Sequence, residues 1–215
     1  MSTTPFHELS LAKLYQHLAT TLGPSGWWPA DSPYEILVGA ILVQNTNWQN
    51  VAKSLSSLRQ ATHFDPEALA ALPVDKLQAL IRPSGFYVHK SQAIHTLFTW
   101  LAAQQWDLAA LGQRVDLRRT LLALPGIGPE TADAMRLYVF AQPTFIADHY
   151  SRRLFAWLGQ PALTYAQLKS RTTVVDNWPL HDAQELHGLI DNFGKQVKTA
   201  ADFTQSSLAN MQLRL

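Results

Sequence analysis

Cysteine is absent from the 215 residues, which excludes disulfides, thiolate zinc sites and cysteine-ligated iron–sulfur clusters. An excess of one charge sign is nearly absent too. The net charge is +1, so no strongly basic field announces a nucleic-acid binder, and any such contact must come from local arrangement. No apolar run approaches the about 18 residues of a membrane span, and the N-terminus lacks the basic-then-apolar layout of a secretory signal. A protein without membrane contact, soluble and cytoplasmic, is therefore expected. Sustained period-two alternation, internal repeats and low-complexity tracts are also missing. What the chain has in quantity is apolar and aromatic: 47% of it is hydrophobic, enough for a packed core, and it carries seven tryptophans. That is more indole than a core of this size needs, which hints at a surface or pocket that uses it.

The chain reads as helices joined by short loops. Ser32-Pro33-Tyr34-Glu35 has the form of a capping box with proline at the first helical position. Behind it Tyr34, Leu37, Val38, Ile41 and Leu42 share one helical face, and Ile36, Gly39, Ala40 and Val43 make the other nearly apolar, so this helix is expected to be buried. Val51, Leu55 and Leu58 continue a second helix, and Asp65-Pro66 starts a third. Leu77, Leu80 and Ile81 mark one that stops near Pro83 and Gly85; Ile94, Leu97, Phe98 and Leu101 form another stripe. A helix ending at Pro125 precedes one from Pro129 to about Phe140, and later helices are expected at roughly 149–158, 164–173 and 183–198. The fold class is all-α.

The most informative segment is Leu124-Pro125-Gly126-Ile127-Gly128-Pro129-Glu130-Thr131-Ala132. Two glycines around one apolar residue allow a tight turn with positive φ, and Pro129 sits where a helix accepts it most readily. Such a turn presents the N–H groups of Gly126, Ile127 and Gly128 beside a helix N-terminus, which suits a phosphate oxygen. An ordinary αα-corner fits the same segment equally well.

The residues that follow, Phe145-Ile146-Ala147-Asp148-His149-Tyr150-Ser151-Arg152-Arg153, tip the balance. With the hairpin before them they resemble the endonuclease III superfamily, known for its helix-hairpin-helix, Gly/Pro-rich loop and aspartate. The resemblance makes Asp148 catalytic. Ile41-Leu42-Val43-Gln44-Asn45-Thr46 looks like the buried helix of the family, whose glutamine lies at the DNA interface, and Gly85-Phe86-Tyr87-Val88-His89-Lys90-Ser91 resembles its wedge loop. Gln44, Phe86 and Tyr87 would then fill the gap left by an extruded base. Together these motifs span roughly residues 27–155 in the order of the family.

Two departures narrow the branch. Strand-cleaving relatives carry a lysine before the Thr-Ala pair, where this chain has Glu130; a carboxylate forms no imine, so the resemblance implies a monofunctional glycosylase without lyase activity. The cluster-binding cysteines are missing as well. Both features are shared by the 3-methyladenine DNA glycosylase III type, and Trp27-Trp28-Pro29 and Gln44-Asn45-Thr46-Asn47-Trp48 are similar to its base pocket, with Trp48 stacking on the flipped base and Trp27, Trp28 and Pro29 lining the same site. An alkylated purine is cationic, and an indole face attracts cations by about 0.5–2 kcal/mol. A core or interface role for Trp27 and Trp28 stays open, as does a plain N-cap role for Asp148.

The resemblance implies a two-lobed helix-hairpin-helix glycosylase, with one lobe at 25–140, a second at 1–24 plus 141–215, and the active site in the cleft. The partner would be damaged double-stranded DNA, the protein a nucleoid-associated bacterial-type monomer. No cofactor and no catalytic metal are expected, although a monovalent cation fits the hairpin. His149, His181 and His187 lack the i, i+4 spacing of a zinc helix and read as surface or capping residues. Arg152 and Arg153 suit either phosphate contacts or a solvated helix face, and Lys195 and Lys198 lie on the helix where the branch keeps a modified lysine. Excision of another lesion class, or a catalytically inactive protein that binds damaged DNA, are the competing readings.

Overall fold

The computed structural model describes residues 7–215, so the first six residues assigned to the second lobe lie outside it. In chain order it contains β1 (His7–Ser10), α1 (Leu11–Leu22), α2 (Pro33–Leu42), α3 (Trp48–Thr62), α4 (Pro66–Ala71), α5 (Val74–Ile81), α6 (Tyr87–Ala103), α7 (Leu108–Gly112), α8 (Leu117–Leu122), α9 (Pro129–Tyr138), α10 (His149–Trp157), α11 (Tyr165–Arg171), α12 (Leu180–Gln196), α13 (Ala200–Thr204) and β2 (Met211–Arg214). Short 3-10 turns, Arg82–Ser84 and Thr173–Asn177, follow α5 and α11. Among the described residues no helix is long and apolar enough to cross a membrane.

The chain divides into two compact units, Pro29–Gln142 and Met1–Trp28 with Pro143–Leu215. The division after residue 28 assigns Trp27 and Trp28 to the discontinuous unit and Pro29 to the other, four residues later than the sequence suggested.

In the contiguous unit α2 packs on α3, α6 and α9. Proline at the first turn and the Ser32 hydroxyl, which accepts from Glu35 N at 3.1 Å, start this helix. The reciprocal half of the expected capping box is absent. Instead the Glu35 carboxylate accepts from Asp31 N at 2.9 Å and pairs with Arg59 of α3, which compensates its burial. Leu37, Val38 and Ile41 meet a core that includes Leu58, Leu77, Ile94, Leu97 and Phe98.

In the discontinuous unit α12 is the spine, packed on both α1 and α10. Leu11, Leu14 and Leu18 of α1 and Leu186, Leu189, Ile190 and Phe193 of α12 bury the stripes that their spacing marks. Helix α12 starts three residues before the expected position, behind Pro179, and ends two residues short. Its end is set from outside: the Arg153 guanidinium donates to the carbonyls of Gly194 and, at 3.0 Å, Val197, and lies over Tyr150 and Trp157. Arg153 is therefore neither a solvated residue nor a free phosphate ligand. The strands β1 and β2 form a two-stranded parallel pair with His7 opposite Met211 and Ser10 opposite Arg214. Four-residue strands leave no periodic trace in sequence, and this pair is the one addition to the all-α expectation among the described residues.

Candidate functional site

Asp148 ends a buried segment, Phe145–Ala147, and caps α10. Its Oδ1 accepts from Ser151 N at 2.8 Å and lies against the Ser151 hydroxyl, which also reaches the Ile146 carbonyl at 3.0 Å. One carboxylate oxygen thus satisfies the helix N-terminus and aims the group. The residue is 9% exposed, so the carboxyl is confined without being sealed. The capping and chemical roles coexist in one side chain.

The same unit brings α12 against this carboxylate. His187, Asp191 and Lys195 recur at i, i+4 and i+8, one face of the helix. The Lys195 ammonium pairs with Asp191 at 2.5 Å and lies 4.4 Å from the centroid of Trp27. Desolvation pushes the His187 imidazole below its ordinary pKa, against the pull of Asp148 and Asp191 and with the help of Lys195. Its ring therefore stays neutral at neutral pH, in dense surroundings near two carboxylates. His187 is half-buried, with Asp148 at the cap of α10 and Asp191 and Lys195 of its own helix as charged neighbours. His149 and His181 are exposed, and so is Lys198.

Small residues of α12 permit this approach. A Cβ at Gly188 would fall 2.4 Å from Ser25 Oγ and 2.7 Å from Trp27 Cβ, so only glycine lets residues 25–27 lie on the helix. Ser25 is then held by the Glu185 carboxylate, which accepts from its N–H at 2.9 Å and its hydroxyl at 2.7 Å, and by Asn192, which donates to its carbonyl at 3.0 Å. Gly194 similarly makes room for the Tyr150 ring. Trp28 follows with its ring 5.2 Å from that of Trp27. Glu185, His187, Asp191 and Asn192 were not singled out in the sequence as part of a site; the i, i+4, i+8 polar row on an otherwise core-facing helix was the available signal.

The contiguous unit holds the other candidates. Gln44 donates through Nε2 to the Gly126 carbonyl at 3.1 Å and the Thr131 hydroxyl at 2.9 Å, which ties the end of α2 to the turn between α8 and α9. In that turn Gly126 has φ +83° and a Cβ there would fall 2.6 Å from Ala93 Cβ, so glycine is required. Gly128 has an ordinary negative φ, so the positive φ that the turn allows falls on Gly126 alone of the two glycines. Ile127 is buried, and its N–H donates to the Leu124 carbonyl at 3.2 Å. Pro129 and Glu130 are exposed in the first turn of α9. Buried Asp133, between Arg118 of α8 at 2.8 Å and Arg136 of α9 at 3.0 Å, fastens the two hairpin helices together.

Trp48 is the first residue of α3, behind the cap Asn47, and is partly exposed; Pro29 is exposed. Phe86 is 65% exposed with φ +47°, directly before α6, and the Arg82 guanidinium lies over Tyr87. An exposed phenyl ring at a helix start gains nothing for the fold and suits insertion into a partner. Beside it opens a pocket of about 170 Å³ lined in part by Gln44, Asn45, Phe86, His89, Lys90 and Gly126.

Residues 38–179 match the family model described as HhH-GPD superfamily base excision DNA repair protein. A Methanocaldococcus jannaschii protein, whose name assigns it provisionally to the DNA repair glycosylases, is 34% identical over 151 residues, covering 68% of this chain and 69% of that one. Endonuclease III of Thermotoga maritima is 30% identical over 128 residues, covering 59% of this chain and 57% of its own length. Among solved structures, H. pylori 3-methyladenine DNA glycosylase (MagIII), bound to 1,N6-ethenoadenine, superimposes with a TM-score of 0.74 at 29% identity, covering 87% of this chain and 98% of that one. An endonuclease III–DNA covalent intermediate, at 21% identity and a TM-score of 0.71 over 89% of both chains, shares the fold.

Proposed function

We propose that this chain, which belongs to the HhH-GPD superfamily of base excision DNA repair proteins, is a DNA glycosylase of the MagIII type that releases alkylated purines from duplex DNA by hydrolysis alone. The observation that carries the substrate class is the Trp27 indole. It lies in the same unit as Asp148 and already holds an ammonium at 4.4 Å, a working instance of the cation affinity that a positively charged base would use. Asp191 matches the charge of Lys195, so that pair adds no net charge to repel such a base.

The target atom is out of reach in stacked DNA, so the nucleotide is extruded at a cost of a few kcal/mol. Gln44 and the Phe86–Tyr87 segment occupy the space left behind. Indole stacking holds the extruded base in this reading, with Trp48 the candidate beside Pro29 in the contiguous unit and Trp27 and Trp28 the candidates in the discontinuous one. Asp148 stabilises the oxocarbenium-like sugar and orients or deprotonates the attacking water, and its fixed direction at the helix cap supports that assignment. A cationic base is a good leaving group and calls for no strong general acid. Glu130 supplies no amine for a Schiff base, so strand cleavage through this position is not expected. Gly126 and Gly128 contact a backbone phosphate, directly or through a monovalent cation. The protein acts on damaged duplex as a monomer in this reading.

Incubation with methylated genomic DNA, followed by identification of the released bases, tests the proposal. Release of 3-methyladenine-like purines is the expected result. Release of only oxidised or mismatched bases from a panel of single-lesion duplexes would replace the substrate class. Tight binding to damaged or abasic duplex with no base released would remove catalysis altogether.

A further inference from the structure

Lys90 is a charged side chain only 3% exposed, four residues after the exposed Phe86. Its ammonium donates to the Leu42 carbonyl at 2.8 Å and the Ser84 carbonyl at 2.7 Å. Leu42 is the last residue of α2, two positions before Gln44; Ser84 ends the 3-10 turn that leads into Gly85 and Phe86. One side chain therefore joins the helix end that carries Gln44 to the turn that carries Phe86, at the edge of the pocket both residues line. The Lys90 N–H bonds to the Phe86 carbonyl at 3.0 Å, so backbone and side chain hold the same turn.

Burying an ammonium costs free energy that two carbonyl acceptors recover only in part. A methionine would fill the volume without that cost. What it would not do is bridge the carbonyls of Leu42 and Ser84.

We propose that Lys90 is a positioning residue for duplex opening, which sets the spacing of Gln44 and Phe86 so that both enter the gap together. This rests on the reading that the two residues fill that gap, and it extends the reading to a residue that touches neither base nor sugar.

The test uses the full chain and a duplex with a tetrahydrofuran abasic analogue opposite 2-aminopurine. Fluorescence of the 2-aminopurine reports insertion into the gap, and anisotropy of an end label reports binding. No base needs to be released, so the lesion preference plays no part. Lys90→Met is expected to cut the fluorescence step by roughly half or more, as loss of register at the gap would. The anisotropy midpoint, governed by phosphate contacts, moves far less. An unchanged step, or a step and midpoint that fall together, overturns the proposal. Should the methionine variant fail to melt cooperatively, Lys90→Gln carries the test: its shorter amide reaches one carbonyl at most, and a full fluorescence step in that folded variant also overturns it. A parent protein that gives no step removes the gap-filling reading itself, a result distinct from failure of Lys90 alone.

Discussion

The carboxylate of Asp148 and the backbone of Ser151 are joined by a 2.8 Å hydrogen bond that uses one oxygen, Oδ1, for the cap of α10. An asparagine keeps an acceptor there and loses only the charge. Asp148→Asn should therefore leave stability within about 1 kcal/mol of the parent, since the two residues cap equally well. Excision of an alkylated purine should fall about 100-fold or more, the scale of a lost electrostatic stabiliser. Thermal melts and single-turnover excision check both halves. A near-parental rate would remove Asp148 from the chemistry.

Trp48 opens α3 and keeps part of its ring in solvent. Trp48→Ala should cost the fold about 1–2 kcal/mol of burial and weaken excision about 10-fold or more, as loss of a stacking platform does. Parallel denaturant melts and excision assays separate the two. Matching losses would mean that the indole serves packing.

Glu130 sits exposed in the first turn of α9, where a lysine would present its amine to the same surroundings. The parent should give no covalent adduct with abasic DNA under borohydride, and Glu130→Lys should give one. Denaturing electrophoresis of the trapped mixture decides. An adduct formed by the parent would reveal another nucleophilic amine.

Arg153 donates to the carbonyls of Gly194 and Val197. Arg153→Met should lower stability by about 1–3 kcal/mol, the range for hydrogen bonds to a charged group. The slope of DNA affinity against salt should not change; a decrease of about one would identify a phosphate contact.

Desolvation lowers the pKa of Lys90 to about 8, against 10.5 for the free side chain. The unfolded chain therefore binds more protons at Lys90 between those two values, and stability gains with rising pH across that window. Below pH 8 both states hold the proton and the contribution is flat. Urea melts at several pH values should show this gain in the parent and not in Lys90→Met, the difference isolating Lys90 from the tyrosines. A parallel pH dependence in both would contradict the assignment.

How much of this was legible beforehand follows from the range of each interaction. The cap that Asp148 makes was readable because a helix cap and its partners lie within a few residues. The hairpin was readable from Gly126 and Pro129, although only the structure shows that Gly128 keeps an ordinary backbone and that the Ile127 N–H is already used. Arg153 looked like one of two solvated arginines because its carbonyl partners lie more than forty residues along the chain. The His187, Asp191 and Lys195 row was visible as spacing, but nothing local said that Gly188 would admit Trp27 beside it. Lys90 was hidden for the same reason: an isolated lysine in a helix reads as solvent-facing until its distant acceptors are known.

The discontinuous unit has a consequence for synthesis on the ribosome. Helix α1 emerges early, yet its leucine stripe is covered by α12, and β1 waits for β2 at residues 211–214. At translation rates of about 5–20 residues per second, that stripe stays uncovered for on the order of ten seconds. Residues 29–142 can complete their own core in the meantime. A nascent chain stalled before α12 should thus be a client for holdase chaperones through Leu11, Leu14 and Leu18, and the emergence of α12 rather than collapse of the first helices should time completion of this unit.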